Sequence, residues 1–506
     1  MNLDPSSASS SPVRIRLEPL SVELELPRGG SLVPGLAAHG FEFPCGGTGE
    51  CSGCKVRVLS GSLPITEADA DSFSVDQLAQ GWRLACQARA DEPLVLECGQ
   101  WHMQILADTS LVQPPSKAIR DTRGRIAIDL GTTTIAAQLI DSSGNVLGVE
   151  TMLNPQAAFG SDVMSRIRAA LDSSDLTTPI RAALGQLVAR LTRGRASQVD
   201  EVLLVGNTVM HHLFCGLDIE SLAHVPFQSP HLAEQRFTAH DLGWDLPSDC
   251  VIRFARCIGG FVGADILAGI VASGIALGDD LTALVDLGTN GEIAIGNRHG
   301  IICASTAAGP AFEAGAIRMG MRAVTGAIAY VAVTDGTLRP TIIGNVAPRG
   351  ICGSGLVDAV AVGLRSAAIL ANGRIADGSK IFPIAPPVVL YQSDIRELQL
   401  AKGAIAAGFR LLLNRHGAQV PSLHAIHLAG AFGNYVQIES ALRIGLLEAP
   451  HALIRAAGNT ALRGAKILLL ADEPPLPPIE HVSLAADPAF QDEFASCMSF
   501  PELREL

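Results

Sequence analysis

The stretch FPCGGTGECSGCKV, residues 43–56, places three cysteines on one glycine-rich loop, and RLACQ, residues 83–87, supplies a fourth. The spacing is C-x5-C-x2-C-x31-C across Cys45, Cys51, Cys54 and Cys86. Three thiolates on a tight loop with a fourth from a distant strand is the ligand pattern of an iron-sulfur cluster of the 2Fe-2S type. Gly46, Gly47, Gly49 and Gly53 allow positive φ angles and let backbone N–H groups turn toward sulfur, which favours the reduced, more negative cluster. Zinc is the alternative for a cysteine quartet, but zinc sites usually pair two C-x2-C knuckles, and Cys86 makes no second one. Cys98, closing the apolar run PLVLEC, reads as a buried strand cysteine.

Plant-type ferredoxins have four residues in the first gap; the five here resemble the adrenodoxin-like variant of that fold. Working outward, VRIRLEPLSVELELP at 13–27 alternates apolar and polar residues around a central turn, the pattern of a β-hairpin. A small domain is expected to open there and close near residue 100. The polar leader, residues 1–12, is expected to be disordered. Residues 101–124, with Pro114 and Pro115, lose periodicity and read as a linker.

The whole chain has 506 residues, 48% hydrophobic, 17% charged, with 51 glycines, which points to several α/β domains with buried sheet. A net charge of -13 leaves no basic footprint for nucleic acid. VGADILAGIVASGIALG, residues 262–278, carries Asp265 and four glycines and reads as a buried helix instead of a membrane span. The expected location is cytoplasmic, where the 11 cysteines serve as metal ligands and buried thiols.

RIAIDLGTTTIAAQLID at 125–141 is a β-branched strand, a Gly-Thr turn and a second strand; LTALVDLGTNGEIAIGN at 281–297 repeats it, so the chain contains a distant internal duplication. Such turns expose successive N–H groups and hydroxyls to phosphate oxygens, and an Asp ending the first strand can hold hydrated magnesium beside them. The first hairpin offers Asp129, Gly131, Thr132, Thr133 and Thr134; the second offers Asp286, Gly288, Thr289, Asn290, Gly291 and Glu292. Alone, each turn is also ordinary punctuation. A third motif, IHLAGAFGN at 426–434, brings Gly430, Ala431 and Gly433, where a flat adenine can lie close to the backbone. Gly353 and Ser354, in ICGSGLVDAV, sit at a helix start able to meet a phosphate or to cap the helix.

These elements, in this order, resemble the acetate kinase, sugar kinase, heat-shock 70 and actin ATPase superfamily. Joined to the cysteine loop, they resemble one family, the reductive activators of corrinoid proteins. NPQAAFGSDVMSRI at 154, GNTVMHHLF at 206, IGGFVGADILAGI at 258, STAAGPAFEAGAIRMGMRAVTGAI at 305 and DIRELQLAKGAIAAG at 394 extend the match along nearly the whole chain. Ser52 stands where a Gly often stands, and the linker looks shorter than in long members.

The resemblance implies an α/β multidomain protein: a β-grasp ferredoxin-like domain at 13–100, a first ribonuclease-H-like ATPase lobe at 125–200, and a large C-terminal ATPase domain at 201–506. It implies a 2Fe-2S cluster, ATP and Mg2+ as cofactors. Its task would be one-electron reduction of Co(II) to Co(I) in a corrinoid methyltransferase partner, fed by an external low-potential donor, in a homodimer. Two rival functions are a small-molecule kinase of the same superfamily and a nucleotide-binding redox sensor. His211 and His212 are helix neighbours on different faces, so a shared catalytic role is not expected. Glu313 is the residue of its loop most able to order a water, with no role as base assigned; no catalytic residue is assigned.

Overall fold

A computed structural model describes residues 12–18, 22–38, 41, 43, 47–49, 54–98, 123–160, 162–334, 337–471 and 475–502. The leader at 1–12 falls almost wholly outside the described residues, and the linker does so up to residue 122. The chain divides into two compact units, 1–101 with 157–161, and 102–156 with 162–506. No described helix is long and apolar enough to cross a membrane.

In the first unit, β1 (Val13–Glu18) and β2 (Val22–Leu26) form the expected antiparallel hairpin. Val13, Ile15 and Leu17 are buried while Arg14 and Arg16 face solvent, so the period-2 pattern sets which face covers the core. After helix α1 (Leu32–Ala38) come β3 (Lys55–Ser60), a short helix α2 (Glu67–Ser72), β4 (Trp82–Leu84) and β5 (Leu94–Cys98). The sheet order is β2-β1-β5-β3-β4, with β5 parallel to β1. Leu36 of α1 joins Ile15, Leu17, Phe41, Phe43, Val56 and Leu96 in one core, a β-grasp arrangement. Cys98 is the buried strand residue its sequence context suggests.

The second unit contains two lobes that share a five-stranded topology, each with a sixth strand added at a different edge. In the first, β6 (Gly124–Leu130), β7 (Thr134–Ile140) and β8 (Val146–Leu153) run antiparallel. Helices α3 (Val163–Leu171) and α4 (Thr177–Thr192) lead to β9 (Val199–Val205), then α5 (Thr208–Cys215), β10 (Gln235–Thr238), β11 (Val251–Phe254) and α6 (Ala264–Ser273). The order β8-β7-β6-β9-β11-β10 has β9 parallel to both β6 and β11. Central strands are covered on both faces, which is why β6 reads as an apolar run and not an alternation.

A lobe boundary at 200/201 is therefore incorrect. It would cut β9, and the strands and helix that complete this lobe continue to Ser273. Sequence periodicity marks the helix before β9 but carries no information on which sheet a later strand joins.

In the second lobe, β12 (Thr282–Leu287), β13 (Gly291–Asn297) and β14 (Gly300–Thr306) again run antiparallel. Helices α7 (Gly353–Arg365) and α8 (Gln392–Arg415) precede β15 (Ala425–Ala429), α9 (Gly430–Tyr435), β16 (Ile454–Gly458), α10 (Thr460–Leu470) and β17 (Ile479–His481). The order is β16-β15-β12-β13-β14-β17, with β15 parallel to β12 and β16. Helix α8 is capped at His416 and stops where Gly417 takes φ +70°. Helices α6 and α10, which follow equivalent strands of the two lobes, pack together so closely that a Cβ on Gly464 would collide with the Ala268 carbonyl oxygen.

Asp69 ties α2 to β4. Its Oδ2 accepts from the Thr66 N–H and hydroxyl, each at 2.8 Å, and its Oδ1 accepts from the Leu84 N–H at 2.7 Å, two residues before Cys86. Asp69→Ala is expected to cost about 2–3 kcal/mol by removing a buried acceptor of charge-assisted bonds. Asp69→Asn, which keeps one acceptor, should lose less; denaturant titration of the ferredoxin-like unit's near-UV signal checks the order.

Candidate nucleotide cleft and thiolate loop

Both hairpins of the second unit point into one cleft. Asp129, Gly131, Thr132, Thr133 and Thr134 line it from the first lobe, and Asp286, Gly288, Thr289, Asn290 and Glu292 from the second, with Asn207, Asp265, Glu313, Gly430 and Asn459. Register explains the pairing: Asp129 and Asp286 each end the first strand of a hairpin, and Asp286 lies opposite Glu292. The turn after Asp129 is tight, since a Cβ on Gly131 would stand 2.6 Å from the Thr134 carbonyl oxygen.

Glu313 joins the two hairpins. Its Oε2 accepts from Thr133 Oγ1 at 3.2 Å and from Thr289 Oγ1 at 3.0 Å, and the two hydroxyls are 3.3 Å apart. From behind, Arg166 donates to the Thr132 carbonyl at 2.6 Å and Asn154 to the Gly131 carbonyl at 2.9 Å. Asn207 Nδ2 donates to Thr132 Oγ1 at 2.9 Å, and Asn459 Nδ2 to Asp129 Oδ2 at 2.8 Å.

Burial raises the carboxyl pKa values here. Desolvation takes Asp129 up to about 6, against the Asn459 hydrogen bond. Desolvation and then the Asp129 charge take Asp286 up to about 7. Desolvation also pushes up Asp265, Glu292 and Glu313, with neighbouring Asp charges adding to the first two and the threonine hydrogen bonds opposing it at Glu313. Carboxylates held in a desolvated cleft create demand for a cation. Among the described residues no three His, Cys, Asp or Glu side chains are grouped closely enough to hold a bare ion. The donor set fits hydrated Mg2+, which keeps several waters and takes one or two carboxylates with substrate phosphates.

Some sequence candidates serve the scaffold. A Cβ on Gly291 would meet Ile405 and Thr306 beneath the turn, and Gly433 packs on Leu428. Gly353 lets α7 approach the Phe312 carbonyl, and Ser354 donates to the Ala329 carbonyl at 2.8 Å instead of facing the cleft or capping the helix. Gly430, at φ +85°, does line the cleft; a side chain there would press on Asp286 Oδ1 and the Leu287 carbonyl oxygen, both at 2.5 Å. The Ala431 side chain lies outside the described residues. His211 and His212 are both buried: His211 packs edge-on to Phe254, and His212 bonds Ser229 Oγ at 2.6 Å and the Thr208 carbonyl at 2.8 Å. Asn207, Asp265 and Asn459 were missed as cleft residues. A usable signal was present in the recurrence of Gly-Asn-Thr at 206–208 and 458–460.

At the thiolate loop, Cys45 and Cys51 lie outside the described residues. Cys54 and Cys86 flank the β3–β4 pair, where the Ala85 N–H donates to the Cys54 carbonyl at 2.9 Å. Gly47 and Gly49 take φ +93° and +88°, and Gln87 Nε2 donates to the Gly47 carbonyl at 2.8 Å and to Cys86 Sγ at 3.5 Å. A positive-φ Gly47 against Cys86, a positive-φ Gly49 against Gln87 and an N–H aimed at the Cys86 sulfur fit a loop wrapped around a thiolate-bound cluster.

A pair of Asp-ended hairpins on duplicated lobes, joined to a ferredoxin-like unit, defines an iron-sulfur protein with an ATPase of the acetate kinase, sugar kinase, heat-shock 70 and actin kind. Residues 15–91 match the 2Fe-2S iron-sulfur cluster binding domain, 125–277 the RACo middle region, and 280–505 the C-terminal domain of RACo, the ASKHA domain. The chain belongs to the RACo family of reductive activators of corrinoid proteins. It is 34% identical over 412 residues to the corrinoid activation enzyme RamQ of Eubacterium limosum, covering 73% of this chain and 69% of that one. It is 28% identical over 384 residues to the [Co(II) methylated amine-specific corrinoid protein] reductase of Methanosarcina barkeri, covering 68% and 69%. A solved reductive activator for corrinoid, iron-sulfur protein superposes with a TM-score of 0.65 at 25% identity, over 97% of this chain and 98% of that one.

The raised Asp129 and Asp286 values fix a pH response. A carboxyl whose folded pKa exceeds its unfolded value stabilises the fold at low pH and loses that contribution as pH rises through the folded value. The metal-free protein should therefore lose a few degrees of thermal midpoint between pH 5 and 8. Mg-ATP should recover the loss and Asp286→Asn should shrink it, as thermal melts at each pH will show.

Proposed function

We propose that the protein reactivates a corrinoid methyltransferase partner in the cytoplasm, returning Co(II) to Co(I) with one electron from an external low-potential donor, in a process driven by ATP. The observation that carries this reading is the union in one chain of a thiolate loop and a two-hairpin carboxylate cleft. Cys45, Cys51, Cys54 and Cys86 are the residues that hold the cluster. A 2Fe-2S centre supplies one electron at a time, which matches the Co(II)/Co(I) change with no proton to balance. Gln87, donating to Cys86 Sγ, stabilises negative charge on that sulfur.

For one electron, each ~59 mV of uphill potential costs about 1.4 kcal/mol. The Co(II)/Co(I) couple is expected to lie below a ferredoxin-like one, so transfer alone would stall. Binding shifts such an equilibrium only if the activator holds the two cobalt states with different affinity. On the nucleotide side, Asp129 and Asp286 hold hydrated Mg2+, and the Gly131–Thr134 and Gly288–Asn290 turns receive the phosphates. Thr133 and Thr289 must exchange Glu313 for phosphate oxygens, which frees the Glu313 carboxylate to orient a water. Nucleotide binding in this way replaces a protein link between the hairpins with a ligand link. The change is suited to releasing the partner after transfer.

Separate variants test the two halves. Cys86→Ala should abolish Co(I) formation while leaving ATP affinity intact, and Asp286→Ala should weaken Mg-ATP binding while leaving cluster reduction intact. The readouts are the visible spectrum of a cognate corrinoid protein and calorimetry with Mg-ATP. Activation at the wild-type rate without ATP would remove the nucleotide lobes from the mechanism. Anaerobically purified protein should contain iron and sulfide in equal amounts, about two of each per chain; stoichiometric zinc would reject the cluster. The active species is a homodimer, so light scattering should give twice the chain mass.

A further inference from the structure

Gly-Asn-Thr occurs at 206–208 and at 458–460, each time between the end of a strand and the start of a helix. Asn207 is the N-cap of α5 and Asn459 the N-cap of α10. In both, Oδ1 accepts from the N–H three residues on, Met210 at 3.0 Å and Leu462 at 2.8 Å. A backbone donor requires the amide oxygen, so the orientation of each amide is fixed by chemistry and its NH2 group must face the other way. That group donates to Thr132 Oγ1 from Asn207 and to Asp129 Oδ2 from Asn459.

Both acceptors belong to the turn end of the β6–β7 hairpin. Capping needs only an oxygen, and Ser, Thr or Asp supplies it as well as Asn does. The extra capacity of Asn is its donor, and at both positions the donor is spent on the same hairpin. We propose that Asn207 and Asn459 are positioning residues for nucleotide binding, each using its helix cap as a rigid mount from which its amide holds one side chain of the phosphate hairpin in place. Asn207 anchors Thr132 from within the first lobe. Asn459 reaches from the second lobe to the first, orienting Asp129 so that its other oxygen remains available to hydrated Mg2+. This rests on the assignment of the cleft to Mg-ATP.

The test separates capping from positioning in the full-length protein. Asn459→Ser keeps a cap and loses the donor; Asn459→Ala loses both. Thermal melts should place Asn459→Ser near wild type and Asn459→Ala below it, whereas calorimetry should show Mg-ATP binding weakened about tenfold in both, the scale of a lost hydrogen bond to a charged group. A wild-type dissociation constant for Asn459→Ser overturns the proposal, because a cap alone would make affinity follow the melting temperature. For Asn207, a double-mutant cycle of Asn207→Ser with Thr132→Val should be non-additive, the second change adding little to the first. Losses that multiply would show that Asn207 does not act through Thr132. Failure of the wild-type protein to bind Mg-ATP would instead overturn the functional reading itself, before any variant is compared.

Discussion

Asp129, Asp265, Asp286, Glu292 and Glu313 converge on one cleft, and the sheets leave them little room to move apart. Asp129 and Asp286 are fixed at strand ends by register, and Glu292 is fixed opposite Asp286. Their mutual repulsion and desolvation are the tension around which the second unit is organised. Neighbouring donors relieve part of it, Asn459 at Asp129 and two threonines at Glu313. The remainder can be met by a divalent cation bringing its own phosphates. A site of this kind is costly to keep empty and is therefore poised to respond to nucleotide.

The fold classes were legible because their signals are local. Four cysteines with diagnostic spacing, and two Asp-Leu-Gly-Thr turns each followed by a strand, are readable without knowing what lies across the molecule. The lobe boundary was not legible, since the pairing of β9 with β6 and β11 depends on contacts between segments tens of residues apart. Within the site, the hairpin residues were found from the turns that hold them. Asn207, Asp265 and Asn459 were missed because each enters the cleft from a helix start belonging to a different strand. Gly353 and Ser354 show the opposite error: a glycine-serine helix start looks the same in sequence whether it meets an anion or a neighbouring carbonyl.

The two units call on the chain in different ways. At the thiolate loop the described part relies on glycines at positive φ and on one side-chain amide, that of Gln87, aimed at sulfur. In the cleft the side chains dominate, held from behind by Arg166, Asn154 and the two capping asparagines. Electron transfer needs a centre whose surroundings change little between oxidation states. Nucleotide handling needs groups that exchange partners, and the Thr133–Glu313–Thr289 link is made of hydroxyls and a carboxylate that can do so.

The contact between α6 and α10 has a consequence for mechanics. These helices follow equivalent strands of the two lobes, and their starts bring Asp265 and the Asn459 cap to the cleft, so their crossing ties the lobes together beside the nucleotide site. Gly464 lies against the Ala268 carbonyl there, with no side chain to spare. A side chain added at position 464 would therefore push the two lobes apart beside the cleft that their Asp-ended turns share.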